Sequence, residues 1–388
     1  MNKAVIVSVA RTPFAKFRGA LKDIHPSIYG GLVIKEVLQR AQIAGEEVDD
    51  VIFGNCNAGG GNIARLSLLQ AELPISLPGI TIDRQCGSGI NSVALAADAI
   101  SAGSGRILVA GGTESLTRAP YLMEPPNQAF DRVPPKFISK RPLSPEHLGD
   151  PPMGITAENL AERYNISREE QDAFALRSQQ NMKRAVEQGF YKEQIVPVPI
   201  TGKKGETTLF SEDEHPRPET TFEGLAQLRP SFKKDGSVTA GNASGIVDGA
   251  SALLLMSEKE AEKRGLEPIA RVADWALAGV DPNIMGIGPV PAINKLLDKN
   301  RLTLEDVDLI EINEAFACQV LACERELHLD WEKVNVNGGA IAHGHPIAAT
   351  GGMLVMKLAY EMKRRGVKRG IVTACIGGGQ GIALMLER

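Results

Sequence analysis

Four short segments of this 388-residue chain carry residue types that do covalent chemistry. The first is Asp83-Arg84-Gln85-Cys86-Gly87-Ser88-Gly89. Ile80 and Ile82 lead in as a strand, and a helical pattern with Ile90, Val93, Ala94 and Ala97 leads out. A cysteine at such a turn stands at the positive end of the helix macrodipole. That position predicts a thiol pKa below the ~8.5 of a free cysteine, hence a nucleophile. The glycines permit a sharp turn and a close backbone approach. The bland alternative is a small buried cysteine packed under a helix.

The second segment is Asn337-Gly-Gly-Ala-Ile-Ala-His343-Gly344-His345-Pro346. Pro346 fits the first position of a helix running through Met353, Met356 and Leu358 to Gly366. His345 is then at or beside the N-cap, where imidazolium is disfavoured and a neutral base or hydrogen-bond donor is maintained. Either histidine could equally be a satisfied turn residue. Two histidines at i and i+2 with no third ligand at a convincing spacing give no metal site. In the third segment Cys375 closes the apolar run Ile371–Ala374 and opens Ile376-Gly377-Gly378-Gly379. It is a second candidate thiol, or a small residue before a glycine turn. In the fourth, Asn313-Glu314-Ala315-Phe316 follows the run Leu309–Ile312. Its amide could hold a water or a carbonyl, or cap a helix. Cys56, Cys318 and Cys323 lack a comparable glycine setting, and the last two read as helix-packing residues. Gly59-Gly60-Gly61 is not followed by Gly-Lys-Thr or Gly-Lys-Ser, so a P-loop is unsupported.

These segments need elements to hold them. Val5–Val9, Val51–Phe53, Ile107–Ala110, Leu309–Ile312 and Ile371–Ala374 are short apolar runs separated by helical patterns. That pattern predicts parallel sheets with crossover helices. Ser167…Glu170 and Ser257…Glu260 have the spacing of capping boxes. Between Ala119 and Pro152 lie nine of the 23 prolines, which forbid regular helix or central strand there. Arg118, Arg132, Lys136, Lys140 and Arg141 make that window locally basic. A helical stretch from about 156 to 188 and a polar segment to about 234 follow. The whole from Arg118 to about Val247 reads as an insertion. The two ends of the chain echo each other. Val48-Asp-Asp-Val-Ile52 matches Val307-Asp-Leu-Ile-Glu311 at an offset of 307 − 48 = 259, and Arg106–Gly111 matches Arg369–Ala374 at 369 − 106 = 263. A shift of 259 also lays Cys86 on His345, as expected for a duplicated unit.

Composition narrows the class. Lys and Arg number 43 against 47 Asp and Glu, a net charge of −4, which excludes strong overall attraction to nucleic acid or to an anionic membrane. With 40 glycines and only 5% aromatics, tight strand–helix turns are favoured over a base- or sugar-stacking surface. The five cysteines include no CxxC pair. The opening MNKAVIVSVARTP reads as a strand rather than a signal peptide, and no apolar run approaches the ~18 residues of a membrane span. The expectation is a soluble cytoplasmic protein with free thiols.

Taken together and in order, these segments resemble the thiolase superfamily of acetyl-CoA C-acetyltransferases and 3-ketoacyl-CoA thiolases. Ala10-Arg11-Thr12-Pro13-Phe14, Gly112-Thr-Glu-Ser115, Met153-Gly-Ile-Thr-Ala-Glu-Asn159, Thr239-Ala-Gly-Asn-Ala-Ser244 and Met285-Gly-Ile-Gly-Pro289 fit as well, so the likeness spans the chain. The resemblance implies an α/β fold, five-layered αβαβα, made of two duplicated halves with an inserted loop domain. The first half would be residues 1–117 with 248–268, the insertion 118–247 and the second half 269–388. It implies acyl transfer to and from coenzyme A, in fatty acid metabolism, with CoA and acyl-CoA as substrates and no resident cofactor or metal. By resemblance Cys86 is the nucleophile that carries the acyl group, and His345 activates it. Asn313 fixes a water in an oxyanion site, and Cys375 is the second, basic cysteine. The backbone N–H groups of Cys86 and Gly377 form another oxyanion hole. Arg217, Ala240 and Ser244 would contact CoA, and Met153, Met285 and Phe316 would line the pantetheine and acyl tunnel. A homodimer or homotetramer is implied too. Some positions depart from the family. Asp83 stands where Asn is frequent, and Pro152 where acetoacetyl-specific members often carry His. His343 replaces an aliphatic residue, and Ile347-Ala-Ala-Thr-Gly351 replaces an Ile followed by Gly-Ala-Ser-Gly. These bear on acyl chain length and weaken strict acetoacetyl-CoA specificity. The competing readings are a related condensing synthase and a catalytically silent acyl-CoA or lipid binder.

Overall fold

Strands that are apolar at every position must be covered on both faces. In the stretch Leu253–Met256, Leu253 and Leu255 enter one core, while Leu254 and Met256 enter another. A computed structural model describes residues 3–57, 60–130, 132–138, 140–202 and 204–388. Its strands are β1 (Ala4–Arg11), β2 (Ala15–Lys16), β3 (Asp50–Gly54), β4 (Gly79–Ile82), β5 (Ile107–Glu114), β6 (Val198–Thr201) and β7 (Thr207–Phe210). They continue with β8 (Val247–Ser257), β9 (Ala270–Gly279), β10 (Leu309–Ile312), β11 (Arg369–Ile376) and β12 (Gln380–Glu387). The helices are α1 (Pro26–Ala41), α2 (Ile63–Gln70), α3 (Ser88–Ala102), α4 (Met153–Arg163), α5 (Arg168–Glu187) and α6 (Phe222–Ala226). After them come α7 (Glu258–Arg264), α8 (Pro289–Asn300), α9 (Ala317–Leu327), α10 (Ala340–His343) and α11 (Ile347–Arg365).

The large sheet runs β10-β11-β12-β9-β1-β8-β5-β3-β4, with β2 beside β8. It is two copies of one pattern. In the first half β4, β3 and β5 are parallel and β8 and β1 return antiparallel. In the second, β10 and β11 are parallel and β12 and β9 return antiparallel. A parallel bridge between Ile310 and Val334 stands where the outermost strand would be. The halves meet where Ala4–Ile6 of β1 pair with Ala270–Val272 of β9. The expectation of parallel sheets therefore needs correction to mixed ones, because each half sends two strands back. The layers follow from the three cores. α1, α2 and α7 cover the outer face of the first half-sheet through Val33, Val37, Leu68 and Ala261. α3 and α11 lie between the half-sheets through Val93 and Val355, against Leu253 and Leu384. α8 and α9 cover the far side through Ile293, Leu296 and Val320. The result is αβαβα.

The two central helices start two residues after Cys86 and His345 respectively. They approach too closely for side chains. A Cβ on Gly89 would sit 2.7 Å from both the Ala348 carbonyl and the Gly352 nitrogen. One on Gly351 would sit 2.1 Å from the Ile90 nitrogen. Gly112 makes room for the Ala348 carbonyl in the same way, at 2.2 Å.

Between β5 and β8 the chain forms α4, α5, α6 and the hairpin β6–β7. The proline-rich window shows, among the described residues, only a bridge between Met123 and Phe137 and one 3-10 turn at Glu146–Leu148. The helix expected over 156–188 is two. Asn165 turns left-handed at φ 49°, and Ser167 starts α5 with a complete capping box to Glu170. At Ser257 only half a box forms. Its hydroxyl accepts from the Glu260 N–H, but the Glu260 carboxylate is taken by Arg264 at 2.7 Å. Pro346 is the N-cap of α11, one place earlier than expected. Of the three-glycine loop, Gly59 lies outside the described residues, and Gly60 and Gly61 face open space.

The crossing of α3 and α11 sets a prediction. Gly351→Ala should destabilise the protein by roughly 2–3 kcal/mol, since backbone rather than a flexible side chain opposes the methyl. Gly60→Ala should leave stability unchanged. Thermal unfolding of the two variants measures both.

Candidate active site

Cys86 sits in a one-turn 3-10 helix, Gln85–Gly87, between β4 and α3. Gln85 is left-handed at φ 46°, a conformation that costs a non-glycine residue about 1–2 kcal/mol. Its neighbours hold it there. The Asp83 carboxylate accepts the Gln85 N–H at 2.8 Å. The Ser88 hydroxyl accepts the Arg84 N–H at 2.8 Å and donates to the Gln85 carbonyl at 2.7 Å. The thiol does not have the lowered pKa expected of a helix N-terminus. Burial pushes it up to about 11; the N–H groups of Gly377 and of Cys86 itself pull against that, while the Glu114 and Asp83 carboxylates add to it. Desolvation outweighs the dipole of one helix end.

His345 is buried and fixed on three sides. Its N–H donates to the Gly245 carbonyl at 2.9 Å, and its Nδ1 lies 2.6 Å from the Thr350 hydroxyl. Its Nε2 faces the Asn313 side-chain amide at 3.4 Å. Burial lowers its pKa to about 4, so the ring is neutral at physiological pH, as expected. Asn313 extends the β10 ladder, its N–H donating to the Thr373 carbonyl at 2.9 Å. Its side chain is aimed at His345 and caps no helix; the N-cap of α9 is Phe316. The Asn313 Oδ1 is buried with no hydrogen-bond partner. A buried pair, Lys357 to Glu311 at 2.7 Å, ties α11 to β10 beneath these groups.

Cys375 lies fully buried near the end of β11, opposite Gly381. Its thiol is pushed well up, by burial first and then by the Cys86 sulfur. Gly377 lies two residues on, and its N–H is near enough to favour the Cys86 thiolate. A Cβ on Gly377 would touch Leu143 at 3.0 Å and the Met153 sulfur at 3.6 Å. So Cys86, Gly377 and Met153 meet under a residue of the proline-rich window. Asn313, His345 and Thr350 form the adjoining group.

The remaining expected residues spread outward. Arg217 and Ala240 line one surface cavity of about 210 Å³, with Gln179, Thr220 and Gly241. Ser244 donates its N–H to the Ala315 carbonyl at 2.9 Å, and Ala317 donates to the Asn242 carbonyl at 2.8 Å. This zips the Thr239–Ser244 segment onto Asn313–Ala317. Phe316 packs edge-to-face on Phe232 at 6.0 Å, and Met285 is buried in the turn Pro282–Ile287. His343 stands apart. It contacts Phe14 edge-on at 6.2 Å, its Nδ1 lies 2.8 Å from the Gly344 carbonyl, and burial holds its pKa far below the usual value.

Three further residues belong to the surroundings of the site. Thr350 anchors the His345 ring; the sequence marks it only as a departure from a family pattern. Leu143 covers Gly377. Glu114 is fully buried and accepts the N–H groups of Asn57 at 2.9 Å, Cys56 at 3.1 Å and Ala348 at 3.4 Å. Burial raises its pKa to about 7 against those bonds. A hydroxyl five residues after a histidine at a helix start is a signal that could have found Thr350. Glu114 stands in the Gly112–Ser115 segment that fits the family, which gives it no role; nothing local points to Leu143.

Residues 4–259 match the family model for the thiolase N-terminal domain, and 266–388 match that for the thiolase C-terminal domain. The chain is similar to the acetyl-CoA acetyltransferase of Syntrophomonas wolfei subsp. wolfei, at 47% identity over 100% of this chain and 99% of that one. It is equally similar, at 47%, to the beta-ketoadipyl-CoA thiolase of Pseudomonas aeruginosa, again over 100% and 99%. Its fold superposes on the crystal structure of the Bacillus anthracis acetyl-CoA acetyltransferase with a TM-score of 0.94, at 46% identity, over 100% of this chain and 99% of that one.

Thr350→Val keeps the shape of the side chain but removes the hydroxyl from His345 Nδ1. It should lower kcat about 10- to 100-fold, a part of the 10²–10⁴ that a positioned acid–base group contributes. KM should barely change. Steady-state kinetics on a 3-ketoacyl-CoA decides; an unchanged kcat would remove Thr350 from the account.

Proposed function

The chain belongs to the thiolase family, and from that premise we propose how its residues divide the chemistry. The activity is that of an acetyl-CoA C-acyltransferase: reversible acyl transfer to CoA, by Claisen condensation of acetyl-CoA or thiolysis of a 3-ketoacyl-CoA. A silent acyl-CoA binder is not favoured. In the thiolysis direction the Cys86 sulfur attacks the keto carbon as its proton passes to His345. The bond between C2 and C3 then breaks. The acyl group stays on Cys86 as a thioester. The departing acetyl-CoA enolate is held by His345 and a water fixed by Asn313, and takes a proton at C2 from Cys375. Next, Cys375 takes the proton of the incoming CoA thiol, whose sulfur attacks the thioester and releases Cys86, which takes its proton back from His345. The oxyanion of this second step sits between the N–H groups of Cys86 and Gly377. Preorganised donors of that kind are worth roughly 3–4 kcal/mol each.

The observation that carries this reading is the placement of Cys86, with Gly377 nearby, and of the His345–Asn313 pair at 3.4 Å at the shared end of α3 and α11. With the thiol pushed up and the imidazole pushed down by burial, a standing ion pair is disfavoured. Proton transfer therefore accompanies attack, and the oxyanion donors supply the driving force. No resident metal or redox cofactor is called for, since the thioester itself acidifies C2.

CoA enters across the inserted segment 118–247, between the halves formed by residues 1–117 with 248–268 and by 269–388. Arg217 and Ala240 share a cavity suited to its phosphates and adenine, and Ser244 leads inward along the zipped ribbon. Met153, Met285 and Phe316 line the path to Cys86. The protein acts in the cytoplasm: its five cysteines are all free, and among the described residues no helix is long and apolar enough to cross a membrane. A homodimer or homotetramer is supported by β4, an open sheet edge with Ile80 half exposed and Leu66, Leu69 and Ile75 exposed nearby.

The decisive assay is CoA-dependent loss of the enolate absorbance of 3-ketoacyl-CoA substrates from four carbons upward. Turnover should fall by about 10³-fold or more in Cys86→Ala. No turnover from folded wild type on any length would move the assignment to a condensing synthase or a silent binder. Light scattering should give two or four times the 41.5 kDa chain mass; a monomer would refute the assembly.

A further inference from the structure

The helix that follows His345 begins without a side-chain cap of its own; Pro346 occupies the N-cap position and offers none. The first turn of a helix leaves N–H groups that need acceptors. Here one acceptor comes from the other half of the molecule. Glu114, the last residue of β5, accepts the Ala348 N–H at 3.4 Å. The same carboxylate accepts the N–H groups of Cys56 at 3.1 Å and Asn57 at 2.9 Å, in the loop after β3. That loop braces the nucleophile turn. The Cys56 sulfur lies 3.6 Å from both the Gln85 carbonyl and the Ser88 hydroxyl. Glu114 is itself anchored, because the Tyr29 hydroxyl donates to its carbonyl at 2.8 Å. The Asn55 amide donates to the Thr113 carbonyl beside it at 2.7 Å. One fully buried side chain thus bonds both to the support of Cys86 and to the start of the helix after His345.

We propose that Glu114 is a positioning residue that sets the distance between the Cys86 turn and His345 through these three N–H bonds. This rests on the thiolase reading, in which proton transfer from Cys86 to His345 accompanies attack. Displacement of one partner by a fraction of an ångström then costs rate without costing CoA affinity, since the Arg217 cavity lies on other elements. A carboxylate has acceptor sites enough for all three donors on its two oxygens. A glutamine in its place would present an N–H₂ group to at least one of the three donors.

The test has two arms. In the first, Glu114→Gln should lower kcat for thiolysis roughly 10- to 100-fold, with KM for CoA within about twofold of wild type. The second reads the same geometry without turnover, as the rate of Cys86 labelling by iodoacetamide at neutral pH. A displaced His345 should slow labelling roughly tenfold. If Glu114 acted only as a charge that raises the thiol pKa, its removal would speed labelling instead. Faster or unchanged labelling, or a wild-type kcat, overturns the proposal. If E114Q is recovered unfolded, Glu114→Asp decides, since it keeps the charge and withdraws it by one methylene; slow labelling supports the role and wild-type speed overturns it. Wild type that labels at Cys86 yet turns over no 3-ketoacyl-CoA would sink the thiolase reading, and the labelling arm would still judge Glu114.

Discussion

The near-contact of α3 and α11 is the constraint on which the rest depends. Both helices are enclosed by sheet on either side, so neither can move outward. Gly89 and Gly351 let their backbones touch, with Gly54 and Gly112 giving space to Ala348. Because each helix begins two residues after a reactive side chain, this contact brings Cys86 and His345 to the same end of the central layer. The duplicated topology supplies the two helices. The glycines supply the short distance. A larger side chain at the crossing would displace one reactive group from the other before it altered anything else.

The second constraint is electrostatic. The groups at the centre are buried, Cys86 only partly, and each titratable one is held in its neutral form: the thiols upward, the imidazole downward. A site of this kind stores no standing charge. It presents oriented dipoles instead, the N–H groups of Cys86 and Gly377 and the amide of Asn313, to charge that exists only during reaction. The charges that are buried lie one layer back, where Lys357 pairs with Glu311 and Glu114 takes backbone N–H groups. They fix position. The inner groups are left free to exchange protons.

Much of this was legible along the chain, and what was not has a common cause. β10 was readable over its full length and β11 over its middle because each is an apolar run bounded by polar or glycine residues. Cys86, His345, Asn313 and Cys375 were conspicuous because each stands where a strand ends or a helix begins. Local reasoning failed where the partner is remote in sequence. Leu143 meets Gly377, and Glu114 meets Ala348, across more than two hundred residues. The thiol pKa failed for the same reason. The helix start after Cys86 is visible in sequence, but the burial that outweighs it is contributed by the whole fold. The break at Asn165 was missed because the amphipathic pattern continues across it.

The pairing of β1 has a consequence for how the chain is made. Its neighbours in the sheet are β8 and β9, so once made it must wait until residues beyond 247 have followed. At typical elongation rates of 5–20 residues per second that interval is roughly 12–50 s. Throughout it, Val5, Ile6 and Val9 have no sheet to join, and the insertion, with its own helices, is synthesised in between. The topology thus sets a delay between making this apolar strand and pairing it, a cost borne during synthesis that leaves no trace in the finished sheet.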